Sequence, residues 1–297
     1  MIRQLNFLLT LTIVSALLFT GCGPSKSTEE SVTEAPENLV GTWRLSQRID
    51  HIANKTEWED VTDSIVYDKY LTDTHFTWIN YDKNNDVLTG MGGGTYTFDG
   101  ENYVEKIEFF LPPTSSILGQ EIYFTASFKE GNWYHNGYIM EMEFDPESAE
   151  TVVVDSSRIE EIWEKVQGTS EGAATVQGTW SLQSYKDGDG GIDLTYPDFV
   201  NYIKLITPTH FIWIQYNDEG DVVSGAGSGS YNYIDGQYTE TIQMMYPSGN
   251  LLTGGAVTFS CEISDNKWEH AAQSFQQSGQ ETDTIFISEK WTRLGGI

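Results

Sequence analysis

The segment Lys69-Tyr70-Leu71-Thr72-Asp73-Thr74-His75-Phe76-Thr77-Trp78-Ile79-Asn80-Tyr81 returns as Lys204-Leu205-Ile206-Thr207-Pro208-Thr209-His210-Phe211-Ile212-Trp213-Ile214-Gln215-Tyr216, with an offset of 135 residues from His75 to His210. Gly41-Thr42-Trp43 returns as Gly178-Thr179-Trp180, and Trp133 and His135 return as Trp268 and His270. Solenoid units repeat every ~20–50 residues, so this period belongs to a whole domain. The chain therefore holds two copies of one fold in tandem. Each copy shows which positions of the other are fixed and which drift.

Within each copy, short β-rich runs alternate with Gly, Asn and Asp turns, the spacing of an all-β barrel or sandwich. The first copy predicts strands over 41–48, 64–72, 74–82, 87–98, 102–110, 121–129, 132–140 and 158–166. Asp82-Lys83-Asn84-Asn85-Asp86 and Asn217-Asp218-Glu219-Gly220-Asp221 read as hairpin turns, as do Asp99-Gly100 and Asp235-Gly236, whose residues tolerate positive φ. Eight strands joined by tight turns point to an up-and-down antiparallel barrel, which also removes exposed sheet edges. The stretches 49–63 and 187–200 read as irregular, with room for a short helix. The expected organisation is a first domain over 39–166, a Gly/Ser/Ala/Thr-rich linker over 167–177 and a second domain over 178–297.

Alternate side chains of a strand face opposite sides, so positions kept at every second residue mark the interior. Tyr103/Tyr238, Glu105/Glu240 and Ile107/Ile242 are shared, while Val104/Thr239, Lys106/Thr241 and Glu108/Gln243 drift. Trp133/Trp268 and His135/His270 are shared on the next kept strand, and Glu161/Glu289 and Trp163/Trp291 on the last. The strand of His75 and His210 gives no such answer, since both of its faces are kept and apolar. The expected interior holds Tyr103, Glu105, Trp133, His135 and Glu161, with Tyr238, Glu240, Trp268, His270 and Glu289 in the second copy. An ionised carboxylate there must pair, neutralise or meet water. That argues for a polar-floored pocket able to hold a small molecule. The alternative is a filled barrel, in which the same group is a closed hydrogen-bond network.

The N-terminus reads as an export signal over 1–21, with Arg3 in the positive region and an apolar stretch from Phe7 to Phe19 too short to span a membrane. The signal ends at Phe19-Thr20-Gly21-Cys22, and residues 22–38 are polar enough to form a flexible tether. The net charge of −28 excludes nucleic-acid binding and attraction to anionic membrane surfaces. Cys261 has Ala126 as its counterpart, so it reads as a small buried residue rather than a reactive thiol. His75, Glu105, His135 and Glu161 are residue types that ligate metals, but they sit on separate strands without ligand spacing, so neither a metal site nor a cofactor is expected. The run Asp187 to Asp193 lacks the spacing and bidentate glutamate of a calcium loop. No helix follows the glycine-rich segments Gly90–Gly94 and Gly225–Gly229, so they are not phosphate loops. They read instead as bends at a barrel corner.

Gly41-Thr42-Trp43 and Gly178-Thr179-Trp180 resemble the Gly-x-Trp signature of lipocalin-like barrels. The resemblance implies that each tryptophan closes a barrel end under a basic residue of the last strand, here Lys165 and Arg293. The ordered set Thr-His-Phe-x-Trp-Ile, Gly-x-Gly-x-Gly-x-Tyr, Tyr-x-Glu-x-Ile and Trp-x-His resembles a secreted lipocalin-like family of Bacteroidota with no settled activity. It implies a fold and a compartment but no catalytic residues. The residues before Cys22 resemble a bacterial lipobox, although Phe19 stands where leucine is preferred. The resemblance implies lipidation of Cys22 and a place in the cell envelope, at the outer membrane, facing the periplasm or the surface. The function expected is non-enzymatic: an anchored protein carrying a small molecule in one or both barrels. The rivals are a scaffold with filled barrels, and an enzyme using an interior Glu–His pair.

Overall fold

The computed structural model describes residues 38–113, 117–145, 150–186, 188–248, 253–278 and 281–295. The export signal, Cys22, nearly all of the tether, and Asp187 fall outside them. In the first copy the strands are β1 (Gly41–Arg48), β2 (Glu59–Asp60), β3 (Ile65–Leu71), β4 (His75–Asp82), β5 (Val87–Phe98), β6 (Asn102–Leu111), β7 (Glu121–Lys129), β8 (Asn132–Asp145) and β9 (Glu150–Lys165). A single-turn helix, α1 (Ala173–Val176), precedes the second copy. That copy comprises β10 (Gly178–Lys186), β11 (Asp193–Leu194), β12 (Val200–Ile206), β13 (His210–Asn217), β14 (Val223–Ile234), β15 (Gln237–Tyr246), β16 (Ala256–Ser264), β17 (Lys267–Ser278) and β18 (Glu281–Leu294).

Each copy is an antiparallel sheet in meander order, closed by pairing of its first long strand with its last, β1 with β9 and β10 with β18. Eight strands close each barrel, and the two-residue strands β2 and β11 add a ninth at the rim. These short strands occupy the stretches expected to be irregular. The short helix lies instead in the linker, where Val176 is buried and its carbonyl accepts from Trp180 Nε1 at 2.7 Å.

Local chemistry explains the connections. Asp82 Oδ1 accepts from the backbone N–H groups of Asn84 and Asn85 at 2.9 and 3.2 Å, and Asp86 takes φ 53°. Asp235 and Gly236 are both left-handed, φ 50° and 77°, which suits a tight hairpin. The glycine-rich strands carry a bulge at Gly93/Gly94 and at Ser228/Gly229, in keeping with the bend expected, and serve a second purpose. A Cβ on Gly92 would meet Trp78 at 3.0 Å and one on Gly227 would meet Trp213 at 2.7 Å, so glycine makes room for an inward indole on the neighbouring strand.

The tryptophans of β1 and β10 close their barrels as the resemblance implied. Lys165 Nζ lies 5.4 Å from the Trp43 ring centroid and the Arg293 guanidinium 4.1 Å from that of Trp180. Each such contact contributes about 0.5–2 kcal/mol, depending on exposure. Behind these lids lie aromatic cores containing Trp43, Phe76, Tyr103, Phe124, Trp133 and Trp163 in the first barrel, and Trp180, Phe211, Tyr238, Phe259, Trp268 and Trp291 in the second.

A third core lies between the barrels. It gathers Tyr70, Ile79, Tyr81, Leu88, Met91 and Phe109 with Ile203, Leu205, Ile212, Ile214, Tyr216 and Met244. These residues belong to the outward faces of β3–β6 and β12–β15. The packing has pseudo-twofold symmetry: Thr42 and Thr207 hydroxyls are hydrogen-bonded at 2.7 Å, and their counterparts Thr179 and Thr72 at 2.6 Å. This is why β4 and β13 keep both faces apolar. One face lines a barrel and the other meets its twin.

Candidate functional site

β3, β6, β8 and β9 bring four ionisable side chains to one level inside the first barrel. Lys69 Nζ donates to Glu105 Oε1 at 2.8 Å, with the two side chains 3% and 5% exposed. One level across, His135 Nδ1 is 3.0 Å from Glu161 Oε2, which also accepts from Trp163 Nε1 at 3.0 Å. The Lys69 ammonium is ringed by Trp163, Trp133, Tyr103 and Phe76, at 5.1, 5.3, 5.4 and 6.0 Å from their centroids. A buried charge is tolerable only when paired and further hydrogen-bonded or surrounded by favourable π faces; here the carboxylate and the rings together meet that condition.

Burial, joined by the nearby Lys69 charge, lowers the His135 pKa against the pull of Glu161. The ring is therefore neutral at pH 7, with its one proton on Nδ1 facing the carboxylate. For Glu161, burial raises the pKa most, but the hydrogen bonds from His135 and Trp163 and the Lys69 charge together leave it lowered. Burial, then the Glu105 charge, push the Tyr103 phenol well up, so it stays protonated. That phenol sits close enough to feel the carboxylate yet makes no hydrogen bond of acceptable geometry with it.

Above this level the barrel is hollow. A cavity of about 320 Å³ is bounded by Lys69, Glu105, His135 and Glu161 below and by apolar walls that include Ile107, Ile122, Phe124, Ile159 and Trp163. Arg48, Tyr67 and Asn80 also line it. The volume falls at the low end of the ~300–1,000 Å³ usual for small-molecule sites, and equals about ten waters at liquid density. Glu161 keeps 22% of its side chain exposed, which the cavity accounts for.

The expected site residues divide in two. Glu105, His135 and Glu161 border the cavity, while Tyr103 and Trp133 are packed beneath it in the closed end. In the second barrel, Lys204 Nζ donates to Glu240 at 2.8 Å, and His270 Nε2 is 2.6 Å from Glu289 Oε2. Tyr238 and Trp268 are fully buried. Sequence reasoning missed Lys69 and Lys204. The signal was present: this is a basic residue kept in both copies of a chain with 16 Lys and Arg against 44 Asp and Glu.

His75 and His210 stand apart from both interiors, on the outward side of β4 and β13. His75 Nδ1 is 2.7 Å from Thr74 Oγ1, and the His210 ring lies 6.4 Å from that of Tyr70 in the first barrel. Among the described residues no group of three or more His, Cys, Asp or Glu is placed to hold a metal ion. Burial lowers the His75 pKa from 6.5 to about 4. A histidine whose folded pKa is depressed opposes folding as soon as the unfolded chain protonates, so stability falls as pH drops from about 6.5 toward 4. The expected loss between pH 7 and pH 5 is about 1–2 kcal/mol from this group. Urea titrations at the two pH values measure it, and His75→Gln should shrink the difference by that amount, leaving the shares of His135, His210 and His270, which burial lowers as well. An unchanged pH dependence in that variant would remove His75 from the account.

No protein-family model matches the chain, and no curated protein matches it. Two solved structures are similar at low identity. One is a protein of unknown function from the DUF3598 family of Nostoc punctiforme, 11% identical with a TM-score of 0.23, over 86% of this chain and 96% of that one. The other is a mutant of the vaccine antigen transferrin binding protein B from Haemophilus parasuis, 10% identical with a TM-score of 0.22, over 83% of this chain and 65% of that one.

Proposed function

We propose that this chain is a lipid-anchored protein of the bacterial cell envelope, of the lipocalin-like kind its motifs resemble, that binds a small molecule inside a β-barrel. The observation that carries the reading is the cavity of about 320 Å³ over the Lys69–Glu105 and His135–Glu161 pairs. An eight-stranded barrel is just wide enough to be filled by its own side chains or to hold one small ligand, and this one leaves space. The lining suits a molecule with an apolar body, which the isoleucines and aromatic rings would desolvate, and a polar group turned toward the floor. The anchor rests on Cys22 and the residues before it, and the outward acidity of the chain leaves the lipid as the means of holding a membrane.

A thermal-shift screen of small amphipathic molecules, followed by native mass spectrometry of the hits, tests the binding. The expected result is at least one compound that raises the melting temperature and remains on the chain. A screen in which nothing shifts melting, together with a large loss of stability in Ile107→Trp, whose indole needs the space of the cavity, would return the barrel to a purely structural role. Metabolic labelling with a fatty acid, with Cys22→Ser as control, tests the anchor, which is refuted if the label is absent from the unmutated protein.

A further inference from the structure

We infer that binding is confined to the first barrel, and that its ligand is an uncharged apolar molecule bearing a hydrogen-bond donor, such as a hydroxyl or amide N–H. The inference rests on the cavity reading above and narrows it to one barrel and one chemical class.

The two copies differ at the open end. In the first, Tyr67 receives the Arg48 guanidinium 5.4 Å from its ring centroid, and its hydroxyl accepts from Arg48 Nη1 at 3.3 Å. In the second, the counterparts are Tyr202 and Tyr185. Tyr202 packs on Trp291 and Trp213 at 5.3 and 5.6 Å, Tyr196 packs on Tyr202 at 5.8 Å, and Tyr185 closes the stack at 4.9 Å from Tyr196. Trp213 and Trp291 are the counterparts of Trp78 and Trp163, which line the cavity of the first barrel. Three tyrosines thus stack over the counterparts of the cavity's indole walls, and the pocket of about 520 Å³ that touches His270 and Glu289 is lined instead by polar residues such as Lys186, Glu262 and Glu269, without the apolar walls of the first barrel.

Beside the donors Arg48 and Lys69, which are already paired, three acceptors on residues lining the first barrel's cavity are short of a donor. Asn80 lines the cavity, and its Oδ1 is buried without a hydrogen-bond partner. His135 is buried, borders the cavity, and has no partner at Nε2. With the imidazole neutral and its proton on Nδ1, that nitrogen is an acceptor. Glu161 takes both of its hydrogen bonds through Oε2, from His135 and Trp163. Leaving a buried acceptor unmet is unfavourable, and a ligand donor recovers that. Charge does not call for an ionic ligand, because Lys69 and Arg48 balance Glu105 and Glu161 around the cavity.

Three naphthalenes of similar size test this by isothermal titration calorimetry and native mass spectrometry: 2-naphthalenemethanol, 2-ethylnaphthalene and 2-naphthoate. The alcohol is expected to bind once per chain, at least tenfold more tightly than either of the others. Asn80→Leu and Glu161→Gln should each weaken the alcohol severalfold and leave the ethyl compound unchanged; Asn80→Ala provides a second variant without the acceptor where leucine disturbs folding. The double substitution Tyr196→Ala and Tyr202→Ala should raise the stoichiometry toward two. Two alcohols on the unmutated chain, a preference for the ethyl compound or the carboxylate, or indifference to the changes at Asn80 and Glu161 would each overturn the inference while leaving a binding barrel in place. Failure of all three compounds, in a protein whose screen also finds no other ligand, would sink both readings together.

Discussion

Replacing Lys69 by methionine should cost about 3–5 kcal/mol, the penalty for leaving one member of a buried ion pair without its partner. Lys69 and Glu105 are 3% and 5% exposed and bonded at 2.8 Å, so the orphaned carboxylate has no route to bulk water except through the cavity. Methionine fills much of the lysine's volume and keeps contact with the surrounding rings, so the loss reports charge rather than packing. The double change Lys69→Met with Glu105→Leu should recover most of it, because an apolar pair of similar volume avoids the desolvation cost altogether. Lys204→Met is expected to cost at least as much as Lys69→Met, since the tyrosine stack over the second barrel keeps water from Glu240. Urea unfolding followed by tryptophan fluorescence gives all of these. If Lys69→Met falls within about 1 kcal/mol of the parent, or the double variant is no better than the single, the pair is not the closed electrostatic unit described here.

Much of this interior was legible in the repeat. Two copies that drift on one face and hold the other expose the inward set directly, and Glu105, His135 and Glu161 came from that comparison alone. Lys69 did not, because its strand offers no alternation to read. Asp68 and Lys69 are adjacent, and both Tyr70 on the outer face and Leu71 on the inner face are buried, the first against the other barrel and the second in its own core. The same interface misleads about the histidines. His75 and His210 are kept as faithfully as His135 and His270, yet they belong to the outward faces that the twin barrels press together. Position-by-position identity between copies therefore marks two buried surfaces, and strand periodicity cannot separate them when both faces are covered.

The unshared positions are where sequence reasoning fell silent. Arg48 against Tyr185, Asn80 against Gln215, and Tyr196 with no ring partner in the first copy are differences, which a search for kept residues discards. They separate the open ends of the two barrels, Arg48 over Tyr67 in one and a tyrosine stack in the other. The bulge between Gly93 and Gly94 is a further case. It inserts a residue opposite β5 and breaks the alternation of β6, so that Ile107 joins the interior while Phe109 joins the core between the barrels. The second copy repeats the device between Ser228 and Gly229, with Ile242 inside its barrel and Met244 at the interface.

That reversal makes Phe109 the most informative residue of the interface. Its side chain is fully buried and its ring lies 4.7 Å from that of Tyr216 across the seam. Phe109→Ala should cost about 3–5 kcal/mol, from lost burial and the void left behind. The interior pairs and the cavity are built on the opposite face of the same sheet, so small-molecule binding should survive the change. What should weaken is the coupling between barrels. Calorimetry on the parent is expected to show one transition with matching calorimetric and van 't Hoff enthalpies, and on Phe109→Ala a broadened or split one, because each barrel then melts closer to its own stability. Tyr216→Ala and the double variant complete a cycle whose interaction energy should reach about 0.5–3 kcal/mol for groups in contact. Additive losses with a single sharp transition throughout would mean that the apolar seam fills space without joining the two folds into one cooperative unit.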